Sequence, residues 1–303
     1  MRKAEQSKRP LTDNEIMRQF QYYLADTSGM KINIKGVRMN ELIELELPYV
    51  HRWTEEYKKR LLAKFYKLDD YFKGLPAQDA TFFTFTTRQK DFKNKADQYT
   101  FLKDNFRKIR NYMQKTHDKF SYIWVAEPHK SGYAHIHMLA LSTFTPEEQE
   151  TIKRLWCDEY EAGVRQAMDI QEISSKTDFG LHNKSCSNAL QSPKNYILKY
   201  LKKTFTEETD LSYFMFSATA WHMGQNPNYK RFRFYGTSRD LSSIMKLDKD
   251  DDDDFKAISV NLQLSSGEEI NLYDGDATHR ITYDESRAKP VYPIPSNINT
   301  WSS

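Results

Sequence analysis

Between residues 53 and 72, apolar side chains recur at Tyr57, Leu61, Phe65, Leu68 and Phe72, the spacing of one helical face. Gly74-Leu75-Pro76 breaks that stripe, and Ala80-Thr81-Phe82-Phe83-Thr84-Phe85-Thr86-Thr87 then reads as a buried strand of aromatic and β-branched residues. Leu102, Phe106, Ile109 and Met113 predict a second helix. Residues 120–127 and 133–141 read as strands joined by Pro128-His129-Lys130-Ser131-Gly132, a turn suited to a hairpin. Thr145-Pro146-Glu147-Glu148 carries a threonine cap, a proline in the first turn and a capping-box glutamate. It predicts a helix to about Val164 with Ile152, Leu155, Trp156 and Tyr160 inward. Residues 168–173 predict another strand, 176–192 a polar loop, and about 193–204 a helix. Strands and helices interleave around a tight hairpin, which favours an α+β fold, a central antiparallel sheet flanked by helices, over a doubly wound parallel sheet.

The remainder is less patterned. Residues 1–50 are polar with few periodic signals, and no internal repeat is visible. Asp250 to Asp254 reads as a linker or exposed loop. Beyond it Ile258, Val260, Leu262 and Leu264 alternate with polar residues, and Ser265-Ser266-Gly267 turns into a possible strand over 269–273. A small C-terminal β appendage is expected there, followed by a loosely held Pro-, Ser- and Asn-rich end. The expected division is a mostly helical N-terminal extension over 1–75, a central domain over 76–247, and an acidic linker with the appendage over 248–303.

Charge adds an asymmetry. The net charge is +3, yet from Asp248 onward 12 acidic residues stand against 5 basic ones, so residues 1–247 carry +10. A basic body fits a polyanionic partner, although an ordinary solvated surface gives the same count. Cys157 and Cys186 are the two cysteines and lack Cys-x-x-Cys spacing, which argues against a disulfide framework or a structural zinc site. The polar start and the absence of long apolar runs predict no signal peptide and no membrane span, hence a cytoplasmic protein.

The candidate chemistry lies in two runs. In Gly132-Tyr133-Ala134-His135-Ile136-His137-Met138, a strand would point both histidines to one face, with Cβ atoms roughly 7 Å apart. Neutral imidazoles about 2.1 Å from an ion could then share it. Ile136 and Met138 would pack on helices. The hairpin turn is expected to bring Glu127 opposite Tyr133, one strand position short of His135, where its carboxylate could complete the site. Mixed nitrogen and oxygen ligands suit Mg²⁺ or Mn²⁺. In Asn195-Tyr196-Ile197-Leu198-Lys199-Tyr200-Leu201-Lys202-Lys203, a helix would place Tyr196 and Tyr200 one turn apart, with Lys199 and Lys203 each three residues on. Those lysines could hold a phosphate or assist loss of the phenolic proton. Taken singly, a His-x-His pair is commonly incidental and such tyrosines are commonly half-buried on an amphipathic helix. Tyr229-Lys230-Arg231-Phe232-Arg233-Phe234-Tyr235 interleaves basic and aromatic residues, as single-strand binding grooves do, or forms an edge strand with Phe232 and Phe234 buried. His129 and His222 read as structural or peripheral.

Strand 82–87, the histidine hairpin and the tyrosine run, in this order, resemble the three motifs of the HUH endonucleases. The closest likeness is to the two-tyrosine replication initiators (Rep) of small single-stranded DNA phages, plasmids and archaeal viruses. Arg233-Phe234-Tyr235-Gly236-Thr237-Ser238-Arg239 is a weaker similarity, and the likeness spans about residues 80–241. It implies a nuclease domain over 76–247 with a ferredoxin-like, RRM-like core. It also implies a metal held by His135, His137 and Glu127, attack by Tyr196 or Tyr200 with Lys199 and Lys203 beside them, and a 5′-phosphotyrosine intermediate. Lys130, Lys202, Lys230, Arg231, Arg233, Tyr235 and Arg239 are the expected DNA contacts. The implied partners are single-stranded DNA at a replication origin and, because no Walker A sequence occurs, a host helicase and polymerase. A two-tyrosine single-strand transposase and an inactive DNA-binding relative remain alternatives.

Overall fold

The computed structural model describes residues 10–38, 41–74, 80–117, 120–173, 210–246 and 256–274. The chain divides into two compact units, residues 1–29 with 50–247 and residues 30–49 with 248–303. The tyrosine run 195–203 lies outside the described residues.

The larger unit is built on a five-stranded sheet. Its elements in chain order are α1 (Asp13–Thr27), α2 (Glu55–Gly74), β3 (Ala80–Thr86), α3 (Lys95–Thr116), β4 (Tyr122–Pro128), β5 (Ala134–Ala140), α4 (Pro146–Arg154), β6 (Asp169–Ile173), α5 (Leu211–Gln225), β7 (Tyr235–Thr237) and α6 (Arg239–Ile244). The strand order is β6-β3-β5-β4-β7, and every pair is antiparallel. The expected α+β architecture is therefore present, with the histidine strand β5 at its centre.

The sheet is covered on both faces, which is why its strands read as continuous apolar runs rather than alternating ones. One face carries Phe83, Phe85, Trp124, Ile136 and Met138. There the Phe106 ring of α3 meets Phe85 at 5.3 Å and Trp124 at 5.4 Å, both edge-on. Phe83 and Phe85 are fully buried, each contributing roughly 1.5–3 kcal/mol from the hydrophobic effect. On the other face Phe65 of α2 packs edge-on against Tyr235 at 5.3 Å, and Leu61 and Leu68 join the same core. Of the anticipated stripes, Leu61, Phe65 and Leu68 on α2 and Leu102, Phe106, Ile109 and Met113 on α3 are buried.

Two expectations change here. The helix begun at Thr145 does have its capping box, but it does not run to Val164. It ends at Arg154 and continues as one wider π turn, Leu155–Glu159. Tertiary bonds take over: the Trp156 indole donates to the Thr86 carbonyl at 3.2 Å, and the Arg88 amide donates to the Ala162 carbonyl at 3.3 Å. Glu161 turns with a positive φ of 48° to allow this.

Sequence periodicity also missed α1 and α5. α1 starts with a complete capping box between Thr12 and Glu15, yet only Ile16, Phe20 and Thr27 on it are buried. α5 is apolar on most sides. Phe214 and Trp221 face Phe20 of α1, whereas Phe216 enters the aromatic cluster of Tyr99, Phe232 and Phe234. A helix packed on both sides has no stripe to read.

The smaller unit departs from the expected division. Its four-stranded antiparallel sheet has the order β2-β1-β8-β9, formed by β1 (Lys31–Arg38), β2 (Glu41–Pro48), β8 (Lys256–Gln263) and β9 (Glu269–Asp274). The C-terminal hairpin thus appears as anticipated, but it is half of a sheet. The other half comes from inside the segment expected to be mostly helical. Cross-strand pairing explains why: Leu47, Ile32, Leu262 and Ile270 form one apolar row, and Leu45, Ile34 and Val260 a second. On the opposite face Lys31 pairs with Glu46 at 2.6 Å and Lys35 with Glu44 at 2.8 Å.

The β4–β5 turn makes one glycine obligatory. The Gly132 amide donates to the His129 carbonyl and the His129 amide to the Tyr133 carbonyl, both at 2.8 Å, with Gly132 at φ 80°. This is a three-residue hairpin loop whose last residue is left-handed. A Cβ at Gly132 would also lie 2.6 Å from Met215 Sδ and 2.8 Å from Lys95 Cε. Gly132→Ala is therefore expected to destabilise the protein by about 1–2 kcal/mol, read as a lower urea midpoint with unchanged m-value.

Candidate metal centre

The hairpin register decides the site. Glu127 stands directly opposite His135 on the paired strands, and Pro128 opposite Ala134. The expected pairing of Glu127 with Tyr133 is thus corrected by two residues, because the turn comprises residues 130–132 and Pro128 belongs to β4. On the far side of β5, Thr86 faces His135 and Thr84 faces His137. Glu127, His135 and His137 consequently share one face of three neighbouring strands. All three are buried, at 7%, 8% and 6% exposure.

Their ligand atoms converge. His135 Nε2 and His137 Nε2 are 2.9 Å apart, and Glu127 Oε2 lies 3.3 Å from His137 Nε2 and 3.7 Å from His135 Nε2. Donors about 2.1 Å from a shared ion would be roughly 3.0 Å apart at a right angle and about 3.4 Å apart in a tetrahedron. The observed spacings bracket those values, so the three side chains fit one divalent ion. Among the described residues they are the group of His, Cys, Asp and Glu able to hold one. Two imidazole nitrogens at 2.9 Å also require a positive centre, a proton or a cation, to offset their lone pairs.

Neighbouring groups set the ring orientations. Thr84 Oγ1 lies 3.1 Å from His137 Nδ1, so a proton on Nδ1 donated to this hydroxyl leaves Nε2 free as a ligand. The Phe82 ring stacks on His137 at 5.4 Å. His129 from the turn lies against His135, with ring centres 4.1 Å apart, but stands outside the three-ligand group. The remaining oxygen of Glu127, Oε1, accepts a hydrogen bond from the Tyr213 hydroxyl.

Helix α3 secures the strand from behind. Ala134 has a proline opposite it and lies beyond the end of β3, so its backbone needs another partner. The fully buried Gln98 supplies one: its amide nitrogen donates to the Ala134 carbonyl at 2.7 Å and its oxygen accepts the Ala134 amide at 3.1 Å. The adjacent Tyr99 hydroxyl donates to the Gly132 carbonyl at 2.6 Å. A side chain thus continues the ladder up to the residue before His135.

Residues 80–205 match the family model for replication-associated proteins of the ORF2 type. The match supports a rolling-circle replication initiator, a Rep. It contains β3, the whole ligand hairpin and, in sequence, Tyr196 and Tyr200. No curated protein and no solved structure matches the chain. No helix among the described residues is long and apolar enough to cross a membrane.

The other expected Rep residues fall into two groups. Tyr196, Lys199, Tyr200, Lys202 and Lys203 lie outside the described residues. Lys130, Lys230, Arg231, Arg233 and Arg239 are exposed. Phe232 and Phe234, which alternate with Arg231 and Arg233, are buried, and the ladder at this edge is formed by β7, just beyond them. Tyr235 is half-buried, and burial pushes its phenol well above the usual range. Tyr213 went unnoticed in the sequence; the one available signal was Asp210, a helix cap ahead of an apolar run.

Burial disfavours protonation of several imidazoles. Burial first, then the neighbouring His137 and His129, hold His135 well below its ordinary value. Burial pushes His51 down to about 4 and lowers His222; His129 is also lowered, by burial first. In the unfolded chain these groups take up protons near pH ~6.5, whereas the folded chain resists. Stability is then fullest above about pH 6.5 and declines as acid is added toward pH ~4. Metal-free protein is expected to lose melting temperature steadily between about pH 7 and 5, and His135→Asn to flatten part of that fall. A level profile in calorimetry would contradict the burial of these rings.

Proposed function

We propose that the chain is a rolling-circle replication initiator of the two-tyrosine HUH type, acting on single-stranded DNA at its origin as a nicking and closing enzyme. The observation that carries this reading is the convergence of Glu127, His135 and His137 within the Rep match, in the same segment as Tyr196 and Tyr200. The nuclease domain spans residues 76–247, between an N-terminal extension and the acidic C-terminal part.

Mg²⁺ or Mn²⁺, when bound by His135, His137 and Glu127, would supply a Lewis acid that offsets negative charge on the scissile phosphate. The protein's own groups do the rest. The phenolic oxygen of Tyr196 or Tyr200 attacks the phosphorus in line, losing its proton, with Lys199 or Lys203 assisting. The bond from phosphorus to the 3′ oxygen breaks, and that oxygen takes up a proton. The products are a 5′-phosphotyrosine and a free 3′-hydroxyl able to prime synthesis. The second tyrosine cuts the regenerated origin after one round, and the released 3′-hydroxyl attacks the first linkage to close a circle. Lys130, Lys202, Lys230, Arg231, Arg233, Tyr235 and Arg239 contact the strand. Unwinding and synthesis fall to a host helicase and polymerase, in the cytoplasm of the host cell.

The test uses the full chain with labelled single-stranded DNA from its own replicon and Mn²⁺. A covalent adduct is expected that EDTA abolishes, that survives one single Tyr→Phe change at 196 or 200, and that disappears in the double variant. His135→Ala with His137→Ala is expected to lower adduct formation at least about 100-fold. Adducts of undiminished yield in that pair, or in the double tyrosine variant, would refute the scheme.

A further inference from the structure

The third residue of α5 reaches the ligand cluster without belonging to it. Tyr213 is buried, at 6% exposure, and its hydroxyl donates to Glu127 Oε1. Oε2 of the same carboxylate faces the two imidazoles, at 3.3 and 3.7 Å. The two oxygens are therefore divided between a phenol on one side and the histidines on the other. We propose that Tyr213 is a positioning residue that holds Glu127 as a one-oxygen metal ligand; this rests on the metal reading given above.

Three features fix the phenol where it stands. The Asp210 side chain caps α5 by accepting from the Ser212 amide at 2.8 Å and the Ser212 hydroxyl at 2.6 Å. This sets the first turn, in which Tyr213 sits. Three residues on, Phe216 is locked among Tyr99, Phe232 and Phe234 at 4.8 to 5.9 Å. Between them Met215 lies against the Gly132 position of the hairpin turn. The helix is thus seated on the same turn that sets the register of Glu127 against His135.

The chemical consequence concerns coordination number. A carboxylate free to rotate can present both oxygens to an ion and fill two positions. With Oε1 bonded to the phenol, Oε2 alone is offered, and the two imidazoles plus one oxygen leave the other positions open for phosphate oxygens and water. A hydrogen bond to a ligating carboxylate also fixes its orientation before an ion arrives, and loss of such a partner typically costs about 10–100-fold in metal affinity.

Mn²⁺ titration of the full-length protein, followed by electron paramagnetic resonance, tests this without DNA or turnover. Tyr213→Phe keeps the ring and removes the hydroxyl, and is expected to weaken Mn²⁺ binding about 10–100-fold. Phe216→Leu, equally buried on the same helix, is expected to lower the melting temperature but leave Mn²⁺ affinity within about twofold. In a Glu127→Gln background, Tyr213→Phe should add little further loss, since the two groups act as one unit. Unchanged affinity in Tyr213→Phe, or an equal loss in Phe216→Leu, overturns the proposal. A wild-type protein with no saturable Mn²⁺ site sensitive to His135→Ala and His137→Ala overturns instead the metal reading beneath it.

Discussion

The register of one hairpin governs this molecule's candidate chemistry. Strand side chains alternate faces, so moving β4 by a single residue against β5 would send Glu127 to the opposite face of the sheet from His135 and His137. Gly132, in a conformation that L-residues avoid, fixes the loop at three residues and so fixes that register. Gln98 and Tyr99 then hold the turn and Ala134 from α3. The three ligand side chains are products of backbone pairing more than of mutual attraction, since burying two imidazoles and a carboxylate together is unfavourable without a cation to balance them.

Much of this could be read from the chain before any coordinates. Phe82 to Thr86, with aromatic and β-branched residues alternating around a strand buried on both faces, announces β3, and Leu102, Phe106, Ile109 and Met113 announce α3. The His-x-His pair on a strand next to a glycine turn was legible as a metal candidate, and Glu127 as its third member. The pairing partner of Glu127 was not, because the position of the loop depends on whether Pro128 ends the strand or begins the turn. Either reading is compatible with Pro-His-Lys-Ser-Gly, and the distinction comes from hydrogen bonds between His129, Gly132 and Tyr133.

What stayed hidden shares a physical cause. α5 packs on two sides and so shows no single apolar stripe. β1 and β2 alternate, as in Leu45-Glu46-Leu47, but their partners β8 and β9 lie more than 200 residues away in sequence. Gln98 and Tyr213 act through one or two hydrogen bonds each, and a polar residue inside a helix carries no periodic mark of its partner. Local pattern reports which face is buried; it does not report which buried atom needs a donor.

The side-chain completion of the β5 ladder by Gln98 has an implication for how such a protein changes over time. Because the backbone frame is closed by α3 and the turn, folding does not call on the carboxylate or the imidazoles. The three positions are therefore free to drift toward other ligand sets while the scaffold persists, so that shape and reactivity are inherited as separable traits.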